Sequence, residues 1–245
     1  MTAWIQIDKD GIPRTRNHYE LYHGFLEIGE EVKTYHFEDL FSGKLDNITV
    51  DDIFVGTIES TNKALQILGK KVPDLTCYPD ELMHLYGRKI WSSTVGKIRK
   101  DVIDPQFTAT FIKPKKTKKF DGFILRNSSE VFKLDECDDT TEIWCNELID
   151  MQSEFRFYVH NHNVIGAYRY TGDYKIAPNI DERIFLEPLY SIKKPPTFYS
   201  VDIAFLNHKD WVVIEMNDGY ALGNYTLSPR KYAYACRDRW YEMVV

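Results

Sequence analysis

The acidic and amide side chains near residues 202 and 217 are the set best suited to bind a metal ion. Residues 201–206 and 211–216 are rich in β-branched and aromatic residues, which predicts a β-hairpin. Glu215 and Asn217 are two residues apart, so on a strand they share one face, and hairpin pairing could set Asp202 beside them. Such oxygens are ligands that Mg²⁺ accepts. The alternative is that Asp202 caps a turn and the other two are a solvated strand end.

A lysine-rich segment supplies a second kind of chemistry. Residues 113–119 read Lys-Pro-Lys-Lys-Thr-Lys-Lys and form the tip of a hairpin predicted from strands at 108–113 and 120–125. Lysine is a compact point charge suited to phosphate oxygens. Lys113 follows apolar neighbours, and a partly buried charge is costly unless it meets a partner such as a phosphate. A solvated loop, or a basic patch for polyanions, is the alternative interpretation.

Two arginines lie on a third predicted hairpin, formed by residues 155–159 and 164–170. Arg156 and Arg169 fall on adjacent strands. Both could face one cleft, where the planar guanidinium group binds phosphate or carboxylate in a bidentate manner. Surface pairing with neighbouring acidic residues is the alternative.

The order of predicted elements divides the chain into two parts. Apolar residues at 4–7 and 53–55 predict strands, and each is followed by apolar residues at helical spacing, which indicates a small α/β unit. Strands dominate later, and residues 228–241 predict a C-terminal helix. We therefore expect an α/β N-terminal domain at residues 1–104 and an α+β domain at residues 105–245.

Composition restricts the classes of function. The 245 residues carry a formal net charge of −6, which argues against general binding of DNA or RNA. The four cysteines show no C-x-x-C pair, which indicates free thiols in a reducing compartment. No apolar stretch approaches the roughly 20 residues that span a bilayer. We expect a cytoplasmic protein without membrane segments.

Six short motifs, taken in order, resemble those of the ATP-grasp superfamily. They are Phe-Ile-Lys-Pro at 111–114, Lys-Lys-Phe-Asp-Gly at 118–122, Cys-Asn-Glu-Leu-Ile at 145–149, Glu-Phe-Arg-Phe-Tyr-Val at 154–159, Val-Asp-Ile-Ala-Phe at 201–205 and Val-Ile-Glu-Met-Asn-Asp-Gly-Tyr at 213–220. The likeness is to a divergent branch of bacteria and phages that includes a eukaryotic assembly factor for translation initiation. It implies an α+β ATP-grasp fold, with two subdomains that grip ATP, after the small N-terminal domain.

The resemblance also implies roles for individual residues, with ATP and Mg²⁺ as cofactors. Lys113 and Lys118, or Lys119 in place of Lys118, would contact the phosphates or the adenine. The remaining roles are adenine binding by the connector (Asn146, Glu147, Leu148), stabilisation of the γ-phosphoryl group (Arg156), positioning of the substrate carboxylate (Arg169) and Mg²⁺ binding (Asp202, Glu215, Asn217). The glycine-rich loop common in the family is replaced here by the lysine-rich turn.

The activity implied is that of a carboxylate–amine ligase. Such an enzyme forms an amide through an acylphosphate, here on a substrate that includes peptides or proteins. The first alternative is an ATP-binding assembly factor that holds a partner protein without turnover. The second is a polyanion-binding module that uses residues 113–119.

Overall fold

The N-terminal part of the chain forms a three-stranded parallel sheet. The computed structural model describes residues 1–74, 76–116, 119–173, 175, 182–206, 210–225 and 227–245. The N-terminal elements in chain order are β1 (Thr2–Ile7), α1 (Arg16–Glu27), β2 (Glu31–His36), α2 (Phe37–Phe41), β3 (Ile53–Val55) and α3 (Ile58–Ile67). The strand order is β2-β1-β3, with all pairs parallel. Sequence analysis missed β2 because Tyr35 is its one buried residue, so the strand lacks an apolar pattern.

A four-stranded antiparallel sheet follows. Its elements are β4 (Ile90–Thr94), α4 (Val95–Asp101), β5 (Thr110–Pro114), β6 (Phe123–Leu125) and β7 (Glu142–Glu147), and the strand order is β4-β7-β5-β6. Two 3₁₀ helices, Asp80–Leu85 and Ser128–Leu134, flank it; an ordinary helix was expected at the first. The division at residue 104 stays a prediction, but β4 and α4 precede it and belong to this sheet and its core.

The second antiparallel sheet contains the two hairpins expected from the sequence. Its strands are β8 (Met151–His160), β9 (Asn163–Gly172), β10 (Phe198–Leu206) and β11 (Trp211–Asp218), in the order β11-β10-β8-β9; α5 (Glu182–Ser191) lies between β9 and β10 in the chain. At the tip of the first hairpin, Asn161 and His162 have φ angles of 49° and 61°. Two consecutive left-handed residues match the turn type that suits the twist of a β-hairpin.

The C-terminal helix α6 (Pro229–Val244) completes the core of the N-terminal sheet. Ser228 caps this helix by accepting a hydrogen bond from the backbone N–H of Lys231, and proline occupies its first turn. Trp240 of α6, Tyr158 of β8 and Phe198 of β10 share one hydrophobic core with the parallel sheet. The two ends of the chain are therefore packed together, and the predicted α+β class is confirmed. No helix among the described residues is long and apolar enough to cross a membrane.

The contact between α1 and α6 generates a stability prediction at Gly24. A Cβ atom at this position would lie 2.2 Å from the carbonyl oxygen of Pro229. In an unhindered helix, Gly→Ala stabilises by up to about 1 kcal/mol. Here we expect Gly24→Ala to lower the free energy of unfolding by about 1 kcal/mol or more, because backbone must move. Urea unfolding measures the change, with Glu27→Ala, at an exposed position of the same helix, as the control. Stabilisation by Gly24→Ala would contradict the packing described.

Candidate active site

Three charged residues form a row across the second antiparallel sheet. Arg156 of β8 is paired with Asp202 of β10, and Asp202 is paired with Glu215 of β11. Residues that pair directly across strands point to the same face, and Asn217 shares this face because it lies two residues beyond Glu215. The proximity expected for Asp202, Glu215 and Asn217 is therefore found in the structure. Their role in metal binding stays a prediction.

The guanidinium group of Arg156 holds the carboxylate of Asp202 in a bidentate pair. Arg156 Nε donates to Asp202 Oδ1 at 2.8 Å, and Nη2 donates to Oδ2 at 2.6 Å. The side chain of Asp202 is fully buried. A buried carboxylate needs such a partner because its desolvation would otherwise be very costly. The guanidinium carbon also lies 5.2 Å from the centre of the Tyr225 ring, which fixes its plane.

The carboxylate of Glu215 is held by a cation from the other antiparallel sheet. Lys113 of β5 forms an ion pair with Glu215 Oε2, and Asn217 Nδ2 donates to Glu215 Oε1 at 2.9 Å. Burial alone would raise the pKa of Glu215, but Lys113 and Asn217 outweigh burial and hold it below its usual value. Burial alone would lower the pKa of Lys113, and the Glu215 charge more than reverses that effect. Both groups are therefore charged at neutral pH.

The oxygen atoms of this set fit a magnesium ion by their chemistry. Asp202 and Glu215 provide carboxylate oxygens and Asn217 an amide oxygen, all hard ligands. Among the described residues, no group of three histidine, cysteine, aspartate or glutamate side chains could hold a metal ion. The third protein ligand would therefore be the amide of Asn217. Lys113 and Arg156 already neutralise the two carboxylates, so a cation that binds Glu215 must displace Lys113.

The lysines of the basic loop have different surroundings. Lys115 Nζ lies 4.2 Å from the centre of the Trp144 ring, and Lys116 forms an ion pair with Glu142 at 3.3 Å. Both lysines line the same cleft as Lys113. Lys119 Nζ is instead 3.7 Å from Asp138, on a more exposed surface. Lys118, the preferred second ATP-contacting lysine from sequence, lies outside the described residues.

The predicted adenine connector lies at the end of β7, away from the row of charges. Asn146 is buried, and its Oδ1 accepts a hydrogen bond from Arg88 Nη2 at 3.3 Å. Glu147 Oε2 accepts from the backbone N–H of Lys89 at 2.9 Å. Leu148 is 44% exposed. The side chains of Asn146 and Glu147 are therefore engaged by protein groups, and adenine binding by this segment stays a prediction.

Arg169 does not share a face with Arg156, so the expectation that both arginines face one cleft is wrong. In the register of β8 and β9, Arg169 is paired with Phe155, while Arg156 is paired with Tyr168. Neighbouring strand residues point to opposite faces, so Arg169 and Arg156 do as well. Arg169 Nη1 donates to the carbonyl of Asp173 at 3.2 Å. The sequence pattern could not settle this, because hairpin register depends on a bulge at residues 154 and 155.

A cleft of about 600 Å³ joins this site to the N-terminal sheet. Its lining includes Lys113, Arg156, Glu215 and Asn217, and also residues at the starts of α1 and α3 such as His18 and Thr57. Sequence analysis named no residue of the N-terminal unit as functional. The helix caps Thr15 and Thr57 were readable in the sequence, but not their convergence on this cleft.

Arg88 is a second residue that sequence analysis missed. Its guanidinium group donates to the carbonyls of Val213 (3.0 Å) and Ile214 (2.8 Å) on β11, and to Asn146 on β7. Burial lowers the pKa of Arg88, though the value remains that of a strong base. Arg88 thus connects the two antiparallel sheets behind the cleft. No motif announced it, because its partners are mainly backbone carbonyls.

Comparison with known proteins identifies this arrangement of sheets. Residues 85–235 match the family model of an ATP-grasp domain, the second family of its clade. Among solved structures, D-cycloserine synthetase DcsG has a TM-score of 0.62 at 12% identity, covering 98% of this chain and 100% of that chain. No curated protein matches the sequence significantly.

Two further solved structures have the same fold at similarly low identity. D-alanine–D-alanine ligase from Bacillus anthracis, complexed with ATP, has a TM-score of 0.58 at 13% identity, with 99% and 95% of the two chains covered. The ATP-grasp ligase PsnB, complexed with a minimal precursor, has a TM-score of 0.56 at 11% identity, with 97% and 99% covered. Each similarity concerns the fold.

The ion pair between Lys113 and Glu215 generates a prediction about stability and metal binding. Lys113→Met leaves Glu215 buried without its cation, so we expect a loss of at least about 2 kcal/mol in the free energy of unfolding. Lys113→Met combined with Glu215→Gln should lose less. Mg²⁺ should restore more stability to Lys113→Met than to the wild type, because it can replace the missing charge on Glu215.

Urea unfolding with and without MgCl₂ measures both effects. Lys119→Met is the matched control, since its ion pair with Asp138 is exposed and should contribute within about 0.5 kcal/mol. If Lys113→Met were as mild as Lys119→Met and insensitive to Mg²⁺, the pairing and the metal site would both be refuted.

Proposed function

This chain belongs to the ATP-grasp domains, in the second family of its clade, and on that premise we propose that it is an ATP- and Mg²⁺-dependent carboxylate–amine ligase. The observation that carries the proposal is the convergence of Lys113, Arg156, Asp202, Glu215 and Asn217 on one cleft or its wall. Transfer of an anionic phosphoryl group needs charge neutralisation more than it needs a protein nucleophile. Two cations beside a set of hard oxygen ligands supply that requirement.

We assign the residues as follows. Asp202, Glu215 and Asn217 hold Mg²⁺, which supplies neutralisation of phosphate charge when bound. Lys113 leaves Glu215 to contact a phosphate of ATP, and Arg156 contacts the transferred phosphoryl group. The segment from Asn146 to Leu148, whose side chains Asn146 and Glu147 have protein partners, contacts adenine mainly through its backbone. Lys118 is the proposed second lysine.

The proposed reaction has two steps. A carboxylate oxygen of the acid substrate takes the terminal phosphoryl group of ATP, and ADP leaves. The amine nitrogen then attacks the acyl carbon, inorganic phosphate leaves, the nitrogen loses a proton and an amide remains. Arg156 can stabilise charge in both steps, because its plane is fixed by Asp202 and Tyr225. Fold relatives whose names describe them as ligases, one solved with a minimal precursor, support a small acid or a peptide as substrate.

Binding of ATP with and without Mg²⁺, measured by calorimetry, tests the nucleotide site. We expect Mg²⁺-dependent binding that Glu215→Ala with Asn217→Ala weakens on the order of 10²-fold, since two of the three proposed ligands are lost. Glu187→Ala with Asn47→Ala, at exposed positions outside the cleft, should bind as the wild type does. Folded wild-type protein that binds no ATP would refute the proposal.

Turnover separates a ligase from a binding protein. We expect release of ADP and phosphate only when an acid and an amine are supplied together, and loss of this release in Arg156→Met. ATP-dependent capture of one protein partner with no phosphate release under any substrate pair would contradict the ligase and favour an assembly factor. Salt-sensitive RNA binding that survives Asp202→Ala would favour the polyanion-binding module.

A further inference from the structure

The carboxyl edge of the parallel sheet forms one end of the cleft. The chain passes from β1 to β2 on one side and then to β3 on the other side of β1, so the strand order reverses at β1. In open parallel sheets, ligands bind outside the carboxyl ends of the strands at such a reversal. The turns that leave β1 and β3 here lead directly to Thr15 and Thr57, both of which line the cleft.

Two helices begin at this edge. Thr15 Oγ1 caps α1 by accepting from the backbone N–H of His18 at 3.2 Å, and Thr57 Oγ1 caps α3 by accepting from the N–H of Ser60 at 3.3 Å. The other N–H groups of a first helical turn have no partner within their own helix. Together with the helix dipole, they favour negative charge.

His18 provides an independent sign that a ligand belongs here. The residue is only 6% exposed and lines the cleft, yet its Nδ1 atom has no hydrogen-bond partner among the described residues. Buried polar atoms are nearly always partnered, so one that is not needs an explanation such as a ligand. Burial lowers the pKa of the imidazole, so His18 is neutral and adds no fixed charge of its own.

A single loop connects this edge to the row of charges. The loop follows Asn217, and in it the backbone N–H of Asn224 donates to Asn17 Oδ1 on α1 at 2.9 Å. Tyr220 Oη donates to Asn62 Oδ1 on α3 at 3.4 Å. The loop therefore fixes the starts of both helices relative to the proposed phosphate-transfer site, within one cleft.

We propose that the starts of α1 and α3 with His18, here named the helix-end subsite, bind an anionic oxygen group of the acid substrate. This group lies at the end of the molecule remote from the carboxylate that is activated. The substrate is then a dicarboxylic acid, which includes a peptide with a second carboxylate, or an acid that carries a phosphate. The inference rests on the proposed ligase function.

Calorimetry with matched ligands tests the helix-end subsite. Wild-type protein is first saturated with Mg²⁺ and a non-hydrolysable ATP analogue. Linear dicarboxylates of increasing length are then titrated, each compared with the monocarboxylate of equal length, and ω-phosphono acids form a second series. We expect one length to bind about tenfold more tightly than its monocarboxylate, as two helix N-termini acting on one charge would give. The better series identifies the anion as a carboxylate or a phosphate.

Asn17→Asp is the decisive variant. Aspartate keeps the oxygen that accepts from Asn224, and a negative charge in the first turn of α1 stabilises the helix. The same charge repels an anion at the subsite, so the preference for the dianion should disappear while binding of the ATP analogue is unchanged. Asn47→Asp, an exposed position outside the cleft, is the control with equal charge. His18→Gln should also reduce the preference.

The outcomes separate the two proposals. If the ATP analogue binds but no dianion binds more tightly than its matched monocarboxylate, the subsite is refuted and the ligase proposal stands. A dianion preference that survives Asn17→Asp also refutes the subsite. If the folded protein binds no nucleotide, it is the proposed function that fails.

Discussion

The arrangement of this molecule depends on the neutralisation of two buried carboxylates by two cations. Asp202 and Glu215 are adjacent on one face of a sheet, and two such charges are tolerated only with close partners. Arg156 comes from the same sheet, whereas Lys113 comes from the other antiparallel sheet. The row therefore requires one strand register within its own sheet and also one placement of the two sheets relative to each other. Arg88 supports that placement by bonding to carbonyls of both β11 and its own turn.

The two ion pairs differ in what a phosphate can do to them. Arg156 holds Asp202 through two parallel hydrogen bonds inside the sheet, a rigid and fully buried geometry. Lys113 reaches Glu215 across the cleft on a flexible stem and rests against the ring of Tyr78. A phosphate that enters the cleft competes directly with Glu215 for Lys113, and the released carboxylate is then a ligand for a metal ion. Nucleotide and metal would thus bind with positive coupling, because each removes a cost of binding the other.

The sequence predicted those parts of the fold that depend on local pattern. The hairpins of β8 with β9 and β10 with β11 follow from apolar alternation and turn residues, and the row of Asp202, Glu215 and Asn217 follows from the period of a strand. The face of Arg169 could not be predicted, since a single bulge changes which side chains share it. Strand β2 escaped notice because it is a polar edge strand. Arg88 and His18 could not be found because their importance lies in contacts made by distant segments.

The N-terminal unit and the C-terminal helix explain how a short chain closes its cleft. Trp240 of α6 packs into the core of the parallel sheet, so the helix that follows the metal-ligand strand also anchors the unit that forms the opposite wall. The loop between them contacts α1 and α3 through Asn224 and Tyr220. Glu215 and the helix starts are therefore positioned by one continuous segment. A displacement of the N-terminal unit would move the substrate end of the cleft and strain the loop that begins at the proposed metal ligands, so substrate binding and phosphate chemistry share one structural support.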